Sequence, residues 1–308
     1  MLLGVAVTAA VACGVGVPVT AQAAEPACFG AAALDRLHPC HNPSLDHAVI
    51  PTPSEAVIVP NATCNPLEPA LNVCGFGVED APPAATIALV GNSHAGHWRA
   101  ALAVVADDLD WRGISITRSS CPFMEATVNL PEPLRAQCSR WITGIPSWFA
   151  AHPEVATVFM SDQPTPPVLP AGHPILGVQV GAYIAAWNAL PPSVQHIVVI
   201  RDNPYTHGDV LACVEAAMAK HERAGSRCGE PRSVAVKADP EAIAAERLHS
   251  SRVQVIDMTN FFCSARECEA VVGGALVYRD ATHLTRTYAT TLGPYLLREV
   301  RKLISAWG

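Results

Sequence analysis

A chain of 308 residues, half of them hydrophobic and only 15% charged, can build one sizeable core within one large or two small domains. Its formal net charge of −7, with no run of lysine or arginine, lacks the basic footprint of a nucleic-acid binder, so no nucleic-acid partner is expected.

The chain opens with 24 uncharged residues, and its first basic residue is Arg36. Leu2 to Val17 form an apolar stretch, and Ala21-Gln22-Ala23 is the small-x-small pattern that precedes signal-peptidase cleavage. Residues 1–24 are therefore expected to be a signal peptide, although the usual N-terminal positive charge is missing. An uncleaved anchor is opposed by Pro18, Gly14 and Gly16, and a lipoprotein site at Cys13 by Ala10, where leucine is usual. All these readings place the remainder outside the cytoplasm.

Residues 25–84 are rich in proline and alanine and read as an extended lead-in. A disordered linker is the competing reading, and the cysteines count against it. Apart from Cys13, ten cysteines form five near-neighbour couples: Cys28 with Cys40, Cys64 with Cys74, Cys121 with Cys138, Cys213 with Cys228, and Cys263 with Cys268. An even set suits disulfides in an oxidising compartment, and short loops are the simplest connectivity, which the sequence alone does not fix. No Cys-x-x-Cys occurs, so structural zinc is not expected. Asn61-Ala62-Thr63 is a formal glycosylation sequon.

From residue 85 to 308 the pattern alternates. Near-continuous apolar runs predict strands at 85–91, 113–118, 155–161, 196–201 and 253–257. Helices are predicted at 94–108, 137–151, 176–190, 239–248 and 284–305. This alternation implies an α/β fold, a three-layer sandwich around a mostly parallel five-stranded sheet of flavodoxin-like type. Active sites in such sheets lie beyond the carboxyl ends of the strands. The segment 207–229, with Cys213 and Cys228, reads as a stapled surface insertion or as a lid over an acceptor.

Gly91-Asn92-Ser93-His94 follows the first of these strands, placing Ser93 on a tight strand-to-helix turn. Asp280-Ala281-Thr282-His283 supplies a carboxylate and an imidazole three residues apart near the other end. A serine hydroxyl becomes a nucleophile when a positioned base takes its proton, and that base needs an orienting acceptor. Ser93, His283 and Asp280 suit those roles. Taken singly they also suit a helix cap, a helix-entry histidine and a loop carboxylate.

At these residues the chain resembles the SGNH hydrolase superfamily, whose first block is Gly-Asp-Ser and whose last is Asp-x-x-His. It is most similar to the SGNH domains attached to membrane-embedded bacterial acyltransferases that modify cell-envelope glycans. Further points of resemblance are Cys28-Phe29-Gly30-Ala31-Ala32-Ala33-Leu34, Ser120-Cys121-Pro122, Arg201-Asp202-Asn203-Pro204 and Tyr278-Arg279-Asp280-Ala281-Thr282-His283-Leu284. The resemblance offers another reading of residues 1–24, as the remnant of a last membrane helix.

The resemblance implies an extracytoplasmic serine O-acyltransferase or O-acylesterase acting on a cell-envelope carbohydrate through an acyl-enzyme, with no cofactor. Its partners would be a carbohydrate acceptor or acylated glycan and, as acyl source, a membrane acyltransferase domain or protein. The Ser93 backbone N–H is the first oxyanion donor expected, at roughly 3 kcal/mol for such a donor. The family's later donor blocks are altered. Thr117-Arg118-Ser119-Ser120 stands after the second of the predicted strands, making Ser119 or Ser120 a candidate donor. Met160-Ser161-Asp162-Gln163 stands after the third, making Ser161 or Gln163 another. These departures sustain an alternative, a non-catalytic carbohydrate-binding or scaffolding domain with a degraded site. A secreted lipase-like enzyme would need a larger apolar groove. His94 and His97 share one helix face, but with no acidic neighbour in sequence they are expected to line the surface or site and hold no metal. Trp98 is expected to pack.

Overall fold

The computed structural model describes residues 25–58, 67, 68, 70–168 and 172–307. The segment 1–24, the sequon at Asn61 and Cys64 lie outside the described residues. Helix α1 (Pro53–Ile58) precedes strand β1 (Val73–Gly77). Then follow β2 (Ala85–Gly91), α2 (Ser93–Asp108), β3 (Trp111–Thr117), α3 (Leu134–Ala151), β4 (Val155–Ser161), α4 (Ile175–Asn188) and β5 (His196–Ile200). Beyond β5 come α5 (Val210–Ala219), the short α6 (Ala224–Arg227), β6 (Glu230–Pro231), α7 (Arg232–Ala235), α8 (Pro240–Leu248), β7 (Val253–Ile256) and the long α9 (Arg286–Trp307).

The main sheet has the order β1-β3-β2-β4-β5-β7. Its five expected strands are all parallel, and the order reverses at β2. That reversal is the topological switch point where doubly wound sheets hold their sites. The sheet has six strands, one more than the sequence suggests, because β1 pairs antiparallel with β3 at the edge. β1 reads Val-Cys-Gly-Phe-Gly inside a proline-rich stretch, and its two glycines hide the strand signal.

Period-two alternation builds the three layers. Ile87, Leu89, Phe159, Val198 and Ile200 point to one face, which α2 and α9 cover. Ala88, Val90, Val158, Met160, Ile197 and Val199 point to the other, covered by α3, α4 and α8. Trp98 is fully buried, edge-to-face with Phe262.

Residues 25–58 dock on the C-terminal part of the chain. The Ala31 N–H donates to Thr291 Oγ1 at 3.0 Å, and Arg298 pairs with Asp35 at 3.2 Å. Nearer the site, Arg279 Nη2 donates to the Val57 carbonyl at 3.1 Å. The segment 207–229 is partly helical: Val210, Val214 and Ala217 give α5 a buried face at i, i+4 and i+7. It is stapled by Cys213–Cys228 and packs on α1, and Arg223 pairs with Asp46. Cys28–Cys40, Cys121–Cys138 and Cys263–Cys268 are also bonded, as is Cys74. Among the described residues no helix is long and apolar enough to cross a membrane.

Candidate active site

β2 ends at Gly91, whose φ of +146° lies outside the range that side chains favour. A Cβ there would lie 2.5 Å from the Ser161 carbonyl oxygen, so only glycine fits where the chain turns toward α2. Asn92 caps α2. Its Oδ1 accepts from the His94 N–H at 2.9 Å and the Gln163 N–H at 3.2 Å, and its Nδ2 donates to the Gln163 carbonyl at 2.6 Å. That last bond needs an amide, because an aspartate here would set a carboxylate against a carbonyl oxygen. The Asn92 N–H donates to Asp162 Oδ1 at 2.6 Å, while Asp162 Oδ2 accepts from the Phe123 N–H at 2.9 Å. Burial, helped by Asp202 and Asp239, pushes the Asp162 carboxyl well up, against those two hydrogen bonds. The ends of β2, β3 and β4 are thus sewn together behind Ser93.

Ser93 opens α2 with its hydroxyl 2.9 Å from Nε2 of His283. His283 Nδ1 lies 2.9 Å and 3.0 Å from the two carboxylate oxygens of Asp280. Asp280 Oδ1 also accepts from the backbone N–H groups of Thr282 at 2.9 Å and His283 at 2.8 Å. Partial burial works to raise the Asp280 carboxyl, but these hydrogen bonds and the nearby imidazole hold it well below the usual carboxylate range. The fold therefore brings Ser93, His283 and Asp280 into one hydrogen-bonded line across 190 residues of sequence.

Ser93, Ser119 and Ser120 share a cleft of about 450 Å³. The backbone turns sharply there: the Arg118 N–H donates to the Gly91 carbonyl and the Cys121 N–H to the Arg118 carbonyl, with Ser120 at φ +60°. The N–H groups of Ser119 and Ser120 bond to no backbone carbonyl among the described residues. Ser161 and Gln163 stand differently. The Ser161 hydroxyl is buried, and the Gln163 N–H is engaged by Asn92.

His94 and His97 depart from the expectation of a surface or site-lining pair without an acidic neighbour. Both are fully buried, and the fold brings Asp202 to them from the end of β5. His94 Nδ1 lies 2.6 Å from Asp202 Oδ1, and its Nε2 lies 3.3 Å from Thr282 Oγ1. Thr282 Oγ1 is in turn 3.4 Å from His283 Nδ1. Tyr205 donates its hydroxyl to Asp202 Oδ2 at 2.7 Å, and Asn203 Nδ2 donates to the Thr282 carbonyl at 2.9 Å. Burial holds His97 well below the usual histidine value, with His94 and His283 adding to the effect. Ligand atoms of His94, His97 and Asp202 all lie within 4.8 Å of one another, close enough to serve a metal ion. The 2.6 Å contact is a charge-assisted hydrogen bond. The motif Arg201-Asp202-Asn203-Pro204 was visible in sequence, but its use as the acidic and amide support of the Thr282–His283 loop was not.

Comparison with known proteins agrees with the fold. The family model described as SGNH domain (fused to AT3 domains) matches residues 61–298, and the chain belongs to that family. The structure is similar to the periplasmic domain of a lipopolysaccharide acetyltransferase from Salmonella ser. Paratyphi A. The TM-score is 0.56 at 12% identity, over 80% of this chain and 94% of that one. No curated protein sequence matches the chain.

Proposed function

We propose that this protein is a serine-dependent O-acyltransferase or O-acylesterase acting on a cell-envelope carbohydrate. The observation that carries the reading is the Ser93–His283–Asp280 line, with 2.9 Å at each link. His283 Nε2 takes the Ser93 proton as Oγ attacks an ester carbonyl, and the tetrahedral oxyanion is met by the N–H groups of Ser93 and of Ser119 or Ser120. Collapse breaks the ester C–O bond, and His283 returns its proton to the leaving alkoxide. Water or a sugar hydroxyl then attacks the acyl-Ser93 ester, gives its proton to His283, and Oγ leaves with that proton. Asp280 holds the imidazole tautomer and stabilises the imidazolium.

The family description supports a membrane-embedded AT3 acyltransferase domain or protein as acyl source, and the similar structure supports a glycan as acceptor. Disulfides of this density support an extracytoplasmic site of action. A second reading, a carbohydrate-binding domain without catalysis, is favoured by one observation: the β4 end offers the cleft neither the Gln163 N–H nor the Ser161 hydroxyl. Turnover of p-nitrophenyl acetate, together with fluorophosphonate labelling that disappears in Ser93→Ala, decides between them. A folded, oxidised wild-type chain that shows neither would establish the binding reading.

A further inference from the structure

Among the described residues that line the cleft beside Ser93, Arg118 is the one charged residue and none is an acid. Among the described residues, five arginines answer an acid in ion pairs: Arg201, Arg223, Arg227, Arg298 and Arg301. Arg118 does not. Its side-chain partner is the neutral Gln137 Oε1, reached from Nη2, which satisfies one donor and leaves the charge uncompensated. The guanidinium is also held in place. Its backbone N–H is bonded to Gly91, two residues before the serine, and the turn it begins is tied by Cys121–Cys138 to α3, the helix that carries Gln137. Leu130 and Leu134 add apolar surface to the same cleft. A guanidinium in the cleft of the serine, with a neutral side-chain partner, suits recognition of an anion.

We infer that Arg118 forms a subsite for an anionic group, a carboxylate or a phosphate, on the sugar whose ester reacts at Ser93. The substrate class is then an acidic glycan unit, its ring against Leu130 and Leu134 and its anion on the fork of Arg118. This inference rests on the acyl-transfer reading for its chemistry, but recognition of the anion can be measured apart from it.

Acetate release is measured from O-acetylated glucuronic acid, glucose 6-phosphate and glucose, using the oxidised chain and its Arg118→Gln and Arg118→Lys variants. One charge-assisted hydrogen bond corresponds to about tenfold or more. The kcat/KM for at least one acidic ester should exceed that for the neutral one by that factor, and the glucuronate and phosphate arms tell the two anions apart. Arg118→Gln should abolish the preference, and Arg118→Lys should keep part of it. Equal kcat/KM for all three esters, or a preference that survives in Arg118→Gln, overturns the subsite. The same sugars are titrated by NMR into Ser93→Ala and into Ser93→Ala combined with Arg118→Gln. Binding that favours the acidic sugars and needs Arg118 upholds the subsite even where no ester, p-nitrophenyl acetate included, turns over and no fluorophosphonate labels Ser93, an outcome that sinks the acyl-transfer reading alone. Binding without such a preference overturns the subsite, whatever the turnover.

Discussion

Nδ1 of His94 lies 2.6 Å from Oδ1 of Asp202, joining the residue after Ser93 to the carboxyl end of β5. From there the contacts run on through His94 Nε2 and Thr282 Oγ1 to His283 Nδ1. One set of proton positions satisfies them all: Nδ1–H of His94 donates to Asp202, and the Thr282 hydroxyl donates to His94 Nε2. The hydroxyl lone pair then faces Nδ1–H of His283, so the buried pair holds the imidazole loop in register with the serine.

His94 and Asp202 are accordingly positioning residues. Thr282→Val should slow fluorophosphonate labelling of Ser93 by up to about a hundredfold, the cost of a small misplacement of reacting groups. Thr282→Ser, which keeps the hydroxyl, should label close to the wild-type rate. Asp202→Asn should follow Thr282→Val, lowering kcat with KM little altered. Equal labelling by Thr282→Val and Thr282→Ser would show that the hydroxyl chain has no part in placing His283.

Removing the orienting acid tests the line itself. Asp280→Asn should lower kcat for an activated ester by roughly three to four orders of magnitude, since the amide favours the wrong imidazole tautomer. His283→Gln should lose at least as much, because the hydroxyl then has no base. The hydrogen bonds that hold the Asp280 carboxyl low keep it ionised well into the acid range. Loss of wild-type activity between pH 7 and 5 is therefore not protonation of Asp280. Near-normal turnover in either variant would exclude this line as the catalytic one.

Stability should carry the signature of His97. Its folded-state pKa is held well below the unfolded value of about 6.5 by burial. Below that value the unfolded chain binds the more protons, so this group makes stability fall as pH falls and leaves it unchanged above. His97→Gln should flatten the decline seen in urea unfolding between pH 7 and 5. A decline as steep as that of the wild type would mean other groups cause it.

Glu241 behaves in the opposite sense. It is buried in the first turn of α8, its carboxylate oxygens lack side-chain partners, and burial, with Asp162 adding, pushes its carboxyl well up. A raised carboxyl favours folding below its unfolded value, and that advantage is lost as pH rises through the folded value. Glu241→Gln, neutral at every pH, should therefore stabilise the protein at pH 8, by on the order of 1 kcal/mol, the scale of a poorly partnered buried polar group. The gain should shrink as pH falls toward 4.5. A variant less stable than wild type at pH 8 would show that the carboxylate is satisfied in the interior.

The expected β2, 85–91, coincides with the observed strand, and the four other parallel strands and their helices fall within a few residues of expectation. Those segments are long and carry their own periodicity, so local sequence suffices to place them. β1 and α5 were not legible, for different reasons. β1 is a strand because β3 offers it an open edge, and its glycines would not otherwise extend. α5 has a buried stripe of only three residues, too short to stand out beside the charged turn that follows.

The serine, the aspartate and the histidine could be named from sequence because each lies in a short motif of distinctive residues. Their 2.9 Å links are a property of the folded sheet alone. The same holds for the fate of the candidate donors. Nothing in Ser119-Ser120 against Ser161-Asp162-Gln163 says which turn opens on the cleft. The fold decided it by spending the Gln163 N–H on the Asn92 cap and leaving the β3 turn open. It likewise buried His94 and His97 together and made His94 the partner of an aspartate 108 residues away. Chain periodicity fixes which segments are strands and helices, because burying a face is a local demand. Which polar groups meet at the strand ends depends on the order in which the strands are laid side by side, and that is decided only when the sheet assembles.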